Sequence, residues 1–443
     1  MEVLPLNAIV YNQEKVHMKD VVAPPYDVID TEYQNNLYNR SEFNIVKLIL
    51  TKGENKYEDA KNYFNDWKNK EILIKTQKPS IFYIIQKYEN EKGKLIERKG
   101  FIARNKIEKF GEGKIFPHEF TMGGPKADRL KLVSACKAFF SQIFMVYSDS
   151  TMLMENDIGK KLSETKPFID VKDDKDVQNL VWVIDDENDI KRIQDMMNDK
   201  TLLIADGHHR YETSMNYSNE HPENEEAKYV MSYFTNLDDE NLIVYPTHRI
   251  ITRQIEPYVL LESVKKHYDI EEFIFDSYTK EKVKEDFLAK IEEENQKQIT
   301  MGLYMKNVNK FYLLSLRENV DEILNEYEVP DVLKLKPEAQ NLVEAPEVLK
   351  KLDLTVLHEL IITKELGYTK EEQMAQDGIK YIKQEAEAFD MIDLGKAEAS
   401  FIMAYPKMQD IRDISSAGYK MPQKSTYFYP KLLSGLAINP LWK

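Results

Sequence analysis

The stretch Thr201-Leu-Leu-Ile-Ala-Asp206-Gly207-His208-His209-Arg210-Tyr211-Glu212-Thr213-Ser214 decides how this chain is read. Leu202 to Ala205 are a short apolar run, readable as a buried strand. Asp206-Gly207 is a turn signal, and the residues after it read as a helix. An acid, a tight turn, two imidazoles and a guanidinium therefore sit where a strand hands over to a helix N-terminus. In α/β architectures ligands bind at that position. The backbone N–H groups and partial positive charge of a helix start suit phosphate. A plainer reading stays open, with Asp206 as an N-cap, the two histidines in the first turn and Arg210 in solvent. Two features weigh against it. Histidine is scarce, 8 in 443 residues, yet two are adjacent here. The helix dipole also disfavours a charged imidazole in a first turn, so neutral rings there fit proton transfer or metal binding better than stability.

Working outward, a length of 443 residues predicts two or three domains. Hydrophobic content of 42% with 31% charged residues describes an ordinary globular protein. Met1-Glu2 starts no signal-peptide pattern, and no apolar run reaches the length of a membrane span, so a cytoplasmic location and no membrane partner are expected. The single cysteine, Cys136, excludes an intramolecular disulfide or a Cys-based zinc cluster and reads as core. A net charge of −15 without a basic block argues against nucleic acid as a partner. A local Lys/Arg/His pocket still suits an anionic small substrate.

Strands are predicted at Ala8–Tyr11, Asn44–Leu50, Ser141–Tyr147, Leu180–Ile184, Ala227–Phe234 and Leu242–Tyr245, with a hairpin of Ile81–Tyr88 and Leu95–Ala103. Helices are predicted at Tyr57–Lys70, from Lys126, and at Asp189–Asn198. Val21–Ile29, with Pro24 and Pro25, reads as an ordered extended loop. After about Ile255 the texture becomes more charged. Helices are read at Glu262–His267, Lys280–Asn295 and Thr355–Glu365, a strand pair at Thr300–Met305 and Lys310–Leu316, and a strand from Ala399. Asn319–Glu347 is charged and Leu-containing. The expected architecture is α+β in two parts, 1–255 and 256–443.

Three further groups carry chemistry-bearing residues. His118-Glu119 precedes Gly123-Gly124-Pro125 and a helix start with Lys126, Asp128 and Arg129. A carboxylate beside an imidazole suits general-base work, and cations at a helix start suit an anion cradle. A solvated surface loop is the alternative. Lys424-Ser425-Thr426 offers hydroxyls and a cation for a phosphate or carboxylate, or is an edge strand packing Tyr427 and Tyr429. Thr247-His248-Arg249 ends a strand, where a core histidine is the plainer reading. At the opening stretch, Glu212 is placed to orient His208 or His209, and Asp206 is the carboxylate a Mg²⁺–phosphate site would use. No Walker A, dinucleotide Gly-x-Gly-x-x-Gly or Gly-x-Ser-x-Gly pattern is present.

Asp206-Gly-His-His-Arg-Tyr-Glu-Thr213, with Ala23-Pro-Pro-Tyr-Asp27, Gly124-Pro-Lys-Ala-Asp-Arg129, Pro246-Thr-His-Arg249 and Lys424-Ser-Thr-Tyr427, resembles domain-of-unknown-function family 1015, marked by its HHRYET signature. The resemblance covers nearly the whole chain. Asp-Gly-His-His-Arg with an upstream His-Glu is also similar to the ParB/sulfiredoxin-like superfamily, which includes kinases of free serine. That second resemblance implies a ParB-like mixed-sheet core in the N-terminal half, followed by a C-terminal α/β domain. It implies a nucleotide-dependent phosphotransferase on a small hydroxyl metabolite, using ATP or ADP and Mg²⁺, with free L-serine a candidate acceptor. Carried across, Glu119 is the base on the acceptor hydroxyl, and Asp206 and His209 hold the phosphoryl end. His118, Lys126, Arg129, His208, Arg210, His248, Arg249, Lys424, Ser425 and Thr426 are the candidate substrate or phosphate contacts. A non-catalytic nucleotide- or phosphoserine-binding regulator and a phosphoserine phosphatase are the alternatives.

Overall fold

The computed structural model describes residues 1–90, 93–117, 124–317, 349, 351–416, 419, 421 and 424–442. Two units make up the chain. Met1–Pro117, Thr121–Ile243 and Pro430–Lys443 belong to the first, and Val244–Tyr429 to the second. The first unit therefore gives way at Ile243 rather than near 255, because His248–Ile251 already pairs with strands of the second.

The first unit is built on nine strands: β1 (Val3–Leu4), β2 (Ile81–Glu89), β3 (Leu95–Lys106), β4 (Ile115–Pro117), β5 (Ile143–Tyr147), β6 (Ile169–Lys172), β7 (Gln178–Ile184), β8 (Leu202–Asp206) and β9 (Tyr229–Asn236). Their order is β4-β8-β5-β9-β3-β2-β7-β6, with β1 added to β3. The β8–β4 and β9–β5 pairs are parallel and the others antiparallel, so the sheet is mixed. The predicted hairpin forms its centre. Ile81 to Ile85 are buried on both faces, as a central strand covered on both sides requires. Helices Lys56–Asn69, Gly124–Cys136 and His208–Glu220 pack as a group in this unit.

Two local expectations fail for physical reasons. Asn44–Leu50, expected as a strand, contains the short helix Val46–Ile49. The Asn44 side chain accepts from the Val46 N–H at 2.9 Å and donates to the Val22 carbonyl at 3.2 Å, which starts a turn. Val46, Leu48 and Ile49 are all buried, so the run shows no period to separate helix from strand. The Pro24-Pro25 loop is not extended throughout, because Tyr26–Val28 closes a 3₁₀ turn.

The second unit carries an antiparallel sheet of β10 (His248–Ile251), β11 (Tyr268–Ile274), β12 (Thr300–Met305), β13 (Lys310–Leu316), β14 (Ile379–Ile382) and β15 (Ala399–Ile402). The order is β11-β13-β12-β15-β10-β14. Phe287, Phe311, Tyr304 and Phe389 fill its core, with Phe287 and Phe311 stacked at 5.1 Å. The edge strand β11 was not foreseen, because Asp269, Glu271 and Glu272 break any apolar alternation. Thr355–Glu365 is helical as predicted but wound as a π-helix over Leu357–Glu365, with His358 and Glu359 buried beside Leu357, Leu360 and Ile361. Asn319–Glu347 lies outside the described residues. The whole is the α+β architecture expected, and no helix among the described residues is long and apolar enough to cross a membrane.

A second π-helical turn, Met154–Ile158, buries Glu155 beneath the first sheet. Among the described residues, neither carboxylate oxygen of Glu155 has a hydrogen-bond partner, nor do the hydroxyls of Tyr83 and Tyr147. Burial, with Asp239 and Asp149 nearby, pushes this carboxyl from 4.5 up to about 7. The folded chain therefore holds a proton that the unfolded chain releases. Its contribution is complete below pH 4.5 and is lost as pH rises through about 7. Glu155→Gln should keep its melting temperature between pH 6 and 8.5, while the wild type loses on the order of 1–3 kcal/mol. Parallel melting curves for the two proteins across that range would contradict this.

Candidate functional site

Leu202 to Ala205 drive β8 into the sheet interior, and Asp206 ends it. The pairing of β8 with β5 shifts register between Ile204 and Asp206, so that Asp206 stands opposite Phe144. A bulge of this kind re-aims a side chain. Gly207 follows in the left-handed region, at φ 91°, and is the cap of helix His208–Glu220. Among the described residues no side chain caps that helix. The N-cap reading of Asp206 is thus overturned: its carboxylate is used elsewhere.

One oxygen of Asp206 accepts from Arg210 Nη2 at 2.7 Å, and the other accepts from Lys431 Nζ at 2.5 Å. Burial raises this carboxyl's pKa, but the Lys431 and Arg210 charges, with His208 adding, outweigh burial and hold it far below the carboxylate range. Arg210 Nη1 also donates to the Gln142 carbonyl. Arg210 is thereby fixed at the first turn of the helix. Gly207 is needed twice over, since a Cβ there would stand 2.8 Å from the Arg210 guanidinium.

Arg210 lines one cavity with Tyr26, Arg129, Ser141, Thr213 and Ser214, over an apolar floor that includes Phe139 and Phe140. It encloses about 40 Å³, room for a few water-sized groups and well short of the ~300 Å³ that holds a drug-sized molecule. Arg129 lies over the Tyr26 ring at 4.3 Å and donates to the Ile49 carbonyl at 2.6 Å. Its other face meets Asp128 at 2.9 Å. Burial works against the Asp128 charge, but Lys56, Arg129 and Tyr57 lower its pKa to about 2. Burial raises the Tyr26 phenol, with Arg210 and Arg129 opposing. Two guanidiniums and several hydroxyls thus face one small space, a set that suits an anion.

Asp206, His208, His209, Arg210 and Arg129 all lie in the first unit, and of these Arg210 and Arg129 line the same cavity. His208 is buried and His209 half-buried. Tyr211 and Thr213 of the signature serve the fold: Tyr211 hydroxyl donates to the Glu108 carbonyl at 2.8 Å, and Thr213 hydroxyl to the His209 carbonyl at 2.8 Å. His118, Glu119 and the Lys126 side chain lie outside the described residues. His248, Arg249, Lys424, Ser425 and Thr426 belong to the second unit. There His248 is buried, accepts from the Met403 N–H at 3.1 Å, and is pushed down to about 3 by burial and then by Arg249. Arg249 is fully buried, donates to His358 Nε2 at 3.0 Å and lies 5.0 Å from the Tyr381 ring centre. Ser425 is buried and Lys424 exposed. Cys136 is core as expected, its thiol pushed up to about 12 by burial. Lys431 and Tyr26 are the residues sequence reasoning passed over. Tyr26 stands in a stretch read as an extended loop, and nothing in the sequence ties Lys431 to a partner 225 positions away.

Both Asp206 oxygens are taken by cations, and among the described residues no group of three His, Cys, Asp or Glu side chains is placed to hold a metal ion.

A family model described as a protein of unknown function, DUF1015, matches residues 3–355. The chain belongs to that family. No curated protein matches it. Among solved structures, a conserved hypothetical protein from Pyrococcus furiosus is 15% identical, with a TM-score of 0.32, covering 72% of this chain and 90% of that one. A free serine kinase in complex with AMP is 15% identical at TM-score 0.33, covering 72% and 86%. SbnI from Staphylococcus aureus, C-terminally truncated, is 8% identical at TM-score 0.34, covering 75% and 85%. These likenesses are too loose to carry any residue or activity across. What distinguishes the site is its geometry, and Gly207→Ala tests it. The left-handed φ and the guanidinium contact should together cost about 1–3 kcal/mol in denaturant unfolding. A loss below ~0.5 kcal/mol would mean that the turn relaxes freely.

Proposed function

We propose that the first unit binds the phosphate of a nucleotide, ATP or ADP, and transfers a phosphoryl group to a small hydroxyl metabolite, with free L-serine giving O-phosphoserine as the first acceptor to test. The observation that carries this reading is the convergence of Arg210 and Arg129, with Tyr26, on one cavity at the start of the signature helix. The nucleotide and the hydroxyl acceptor come from the motif resemblance. In the reaction the acceptor oxygen attacks the terminal phosphorus, the bridging P–O bond breaks, and the hydroxyl proton passes to a base. The resemblance gives that role to Glu119. Arg210 and Arg129 neutralise the charge spread over the phosphoryl oxygens, which is most of what such a transfer needs.

A second reading is a regulator that binds the same phosphate without turnover. It is favoured by the described cavity lining, which holds cations and hydroxyls and no carboxylate to act as base. Incubation with L-serine and ATP or ADP, followed by a search for phosphoserine, separates the two. The kinase reading expects product, its loss in Glu119→Gln with nucleotide binding intact, and about tenfold weaker binding in Arg210→Met and Arg129→Met. Binding without product across amino acids and both nucleotides selects the regulator. No binding at all overturns both.

A further inference from the structure

Arg98, in the middle of the first sheet, is fully buried, yet no carboxylate pairs with it among the described residues. Its Nε donates to Gln86 Oε1 at 3.1 Å, and Nη2 reaches the same oxygen and the Pro430 carbonyl, the latter at 2.6 Å. Gln86 Nε2 in turn donates to Asn179 Oδ1 at 2.8 Å and lies 3.5 Å from the Lys431 carbonyl. The guanidinium stands over the Phe144 ring at 4.7 Å, and Phe144 is the residue opposite Asp206 in the ladder. A buried guanidinium without a counter-charge is expensive in desolvation, so its retention calls for a role.

We propose that Arg98 is the positioning residue that grips Pro430 and so delivers Lys431 to Asp206, adding a positive charge to the anion site. The proposal rests on the anion-binding reading above. Asp206 and Arg210 alone sum to zero. Lys431 adds one positive charge and takes one of the two carboxylate oxygens, which leaves the guanidinium less committed to Asp206. The chain beyond Lys431 is pinned separately. Leu433 carbonyl accepts from Gln142 at 3.0 Å, Ser434 N–H donates to the Ala23 carbonyl at 2.8 Å, and Ile438 N–H to the Ile9 carbonyl at 2.9 Å. Arg98 and Gln86 therefore hold the backbone at Pro430 and Lys431 directly. The influence runs from Arg98 through the Pro430 carbonyl, Lys431 and Asp206 to Arg210, with no contact between Arg98 and a ligand.

The test uses the full chain, with inorganic phosphate and ADP as titrants, in wild type, Lys431→Met, Arg98→Met and the double variant. Each single change should weaken binding about tenfold, and the double variant should be no weaker than either, because both remove the same charge from the site. Hydrogen exchange should quicken at residues 431 and 432 in Arg98→Met and stay unchanged at Ile438. Arg98→Lys keeps the charge and loses the forked grip, so it should fall between wild type and Arg98→Met, and it serves alone if Arg98→Met fails to fold. Additive losses, or unchanged exchange at 431 and 432, would overturn the proposal. Should wild type bind neither titrant, the anion-site reading falls, and the exchange pattern still decides whether Arg98 holds Lys431.

Discussion

Asp206 between Lys431 and Arg210 is the interaction on which the first unit's site depends. A carboxylate at the end of an interior strand is poorly solvated, and only paired charge makes it tolerable there. The pairing joins three pieces of chain: the end of β8, the first turn of the helix after it, and a segment from the far end of the sequence. Each has its own local cause. The register shift at Ala205 turns Asp206 toward Phe144, Gly207 reverses the chain where no side chain fits, and the Pro430 carbonyl is gripped by buried Arg98. Removing one cation would leave the carboxylate half answered, and removing the carboxylate would leave two cations side by side.

The consequence for chemistry lies in the sign of what is left over. Two cations meet one carboxylate at Asp206, and Arg129 adds a third cation across the cavity. Asp128 answers part of that charge, with Lys56 sharing it. Tyr26 lies against Arg129 and makes the space narrow and partly apolar. In an acidic protein of net charge −15, such a local surplus is how an anion can be selected at all. The second unit spends its buried cation differently. Arg249 is bonded to His358 and Thr247 within its own core, so His248 and Arg249 serve that core.

Much of the fold was legible in residues whose pattern admits one period. The hairpin Ile81–Glu89 and Leu95–Lys106, the helix Lys56–Asn69 and the strand-turn-helix around Asp206 all formed close to their expected bounds. Where the pattern was ambiguous, a tertiary cause chose. Asn44–Leu50 is apolar enough for a strand, and a hydrogen bond from the Val46 N–H to the Asn44 side chain turned it into a helix. β11 is acidic on an exposed edge, and pairing with β13 made it a strand. The unusual winding of Leu357–Glu365 has no sequence signature of its own.

By itself the sequence determined that Asp206-Gly207-His208-His209-Arg210 lies on a strand-to-helix turn, because an apolar run, a glycine and a helical stretch leave little else for the backbone to do. It also determined that the chain is α+β and that Cys136 is core. Only the tertiary structure decided who answers Asp206. Charge pairing depends on distance in space, and nothing in residue order brings Lys431 within 2.5 Å of a carboxylate 225 positions earlier. The same holds for Arg98, whose role comes from a carbonyl 332 positions away and is invisible until the chain has closed on itself.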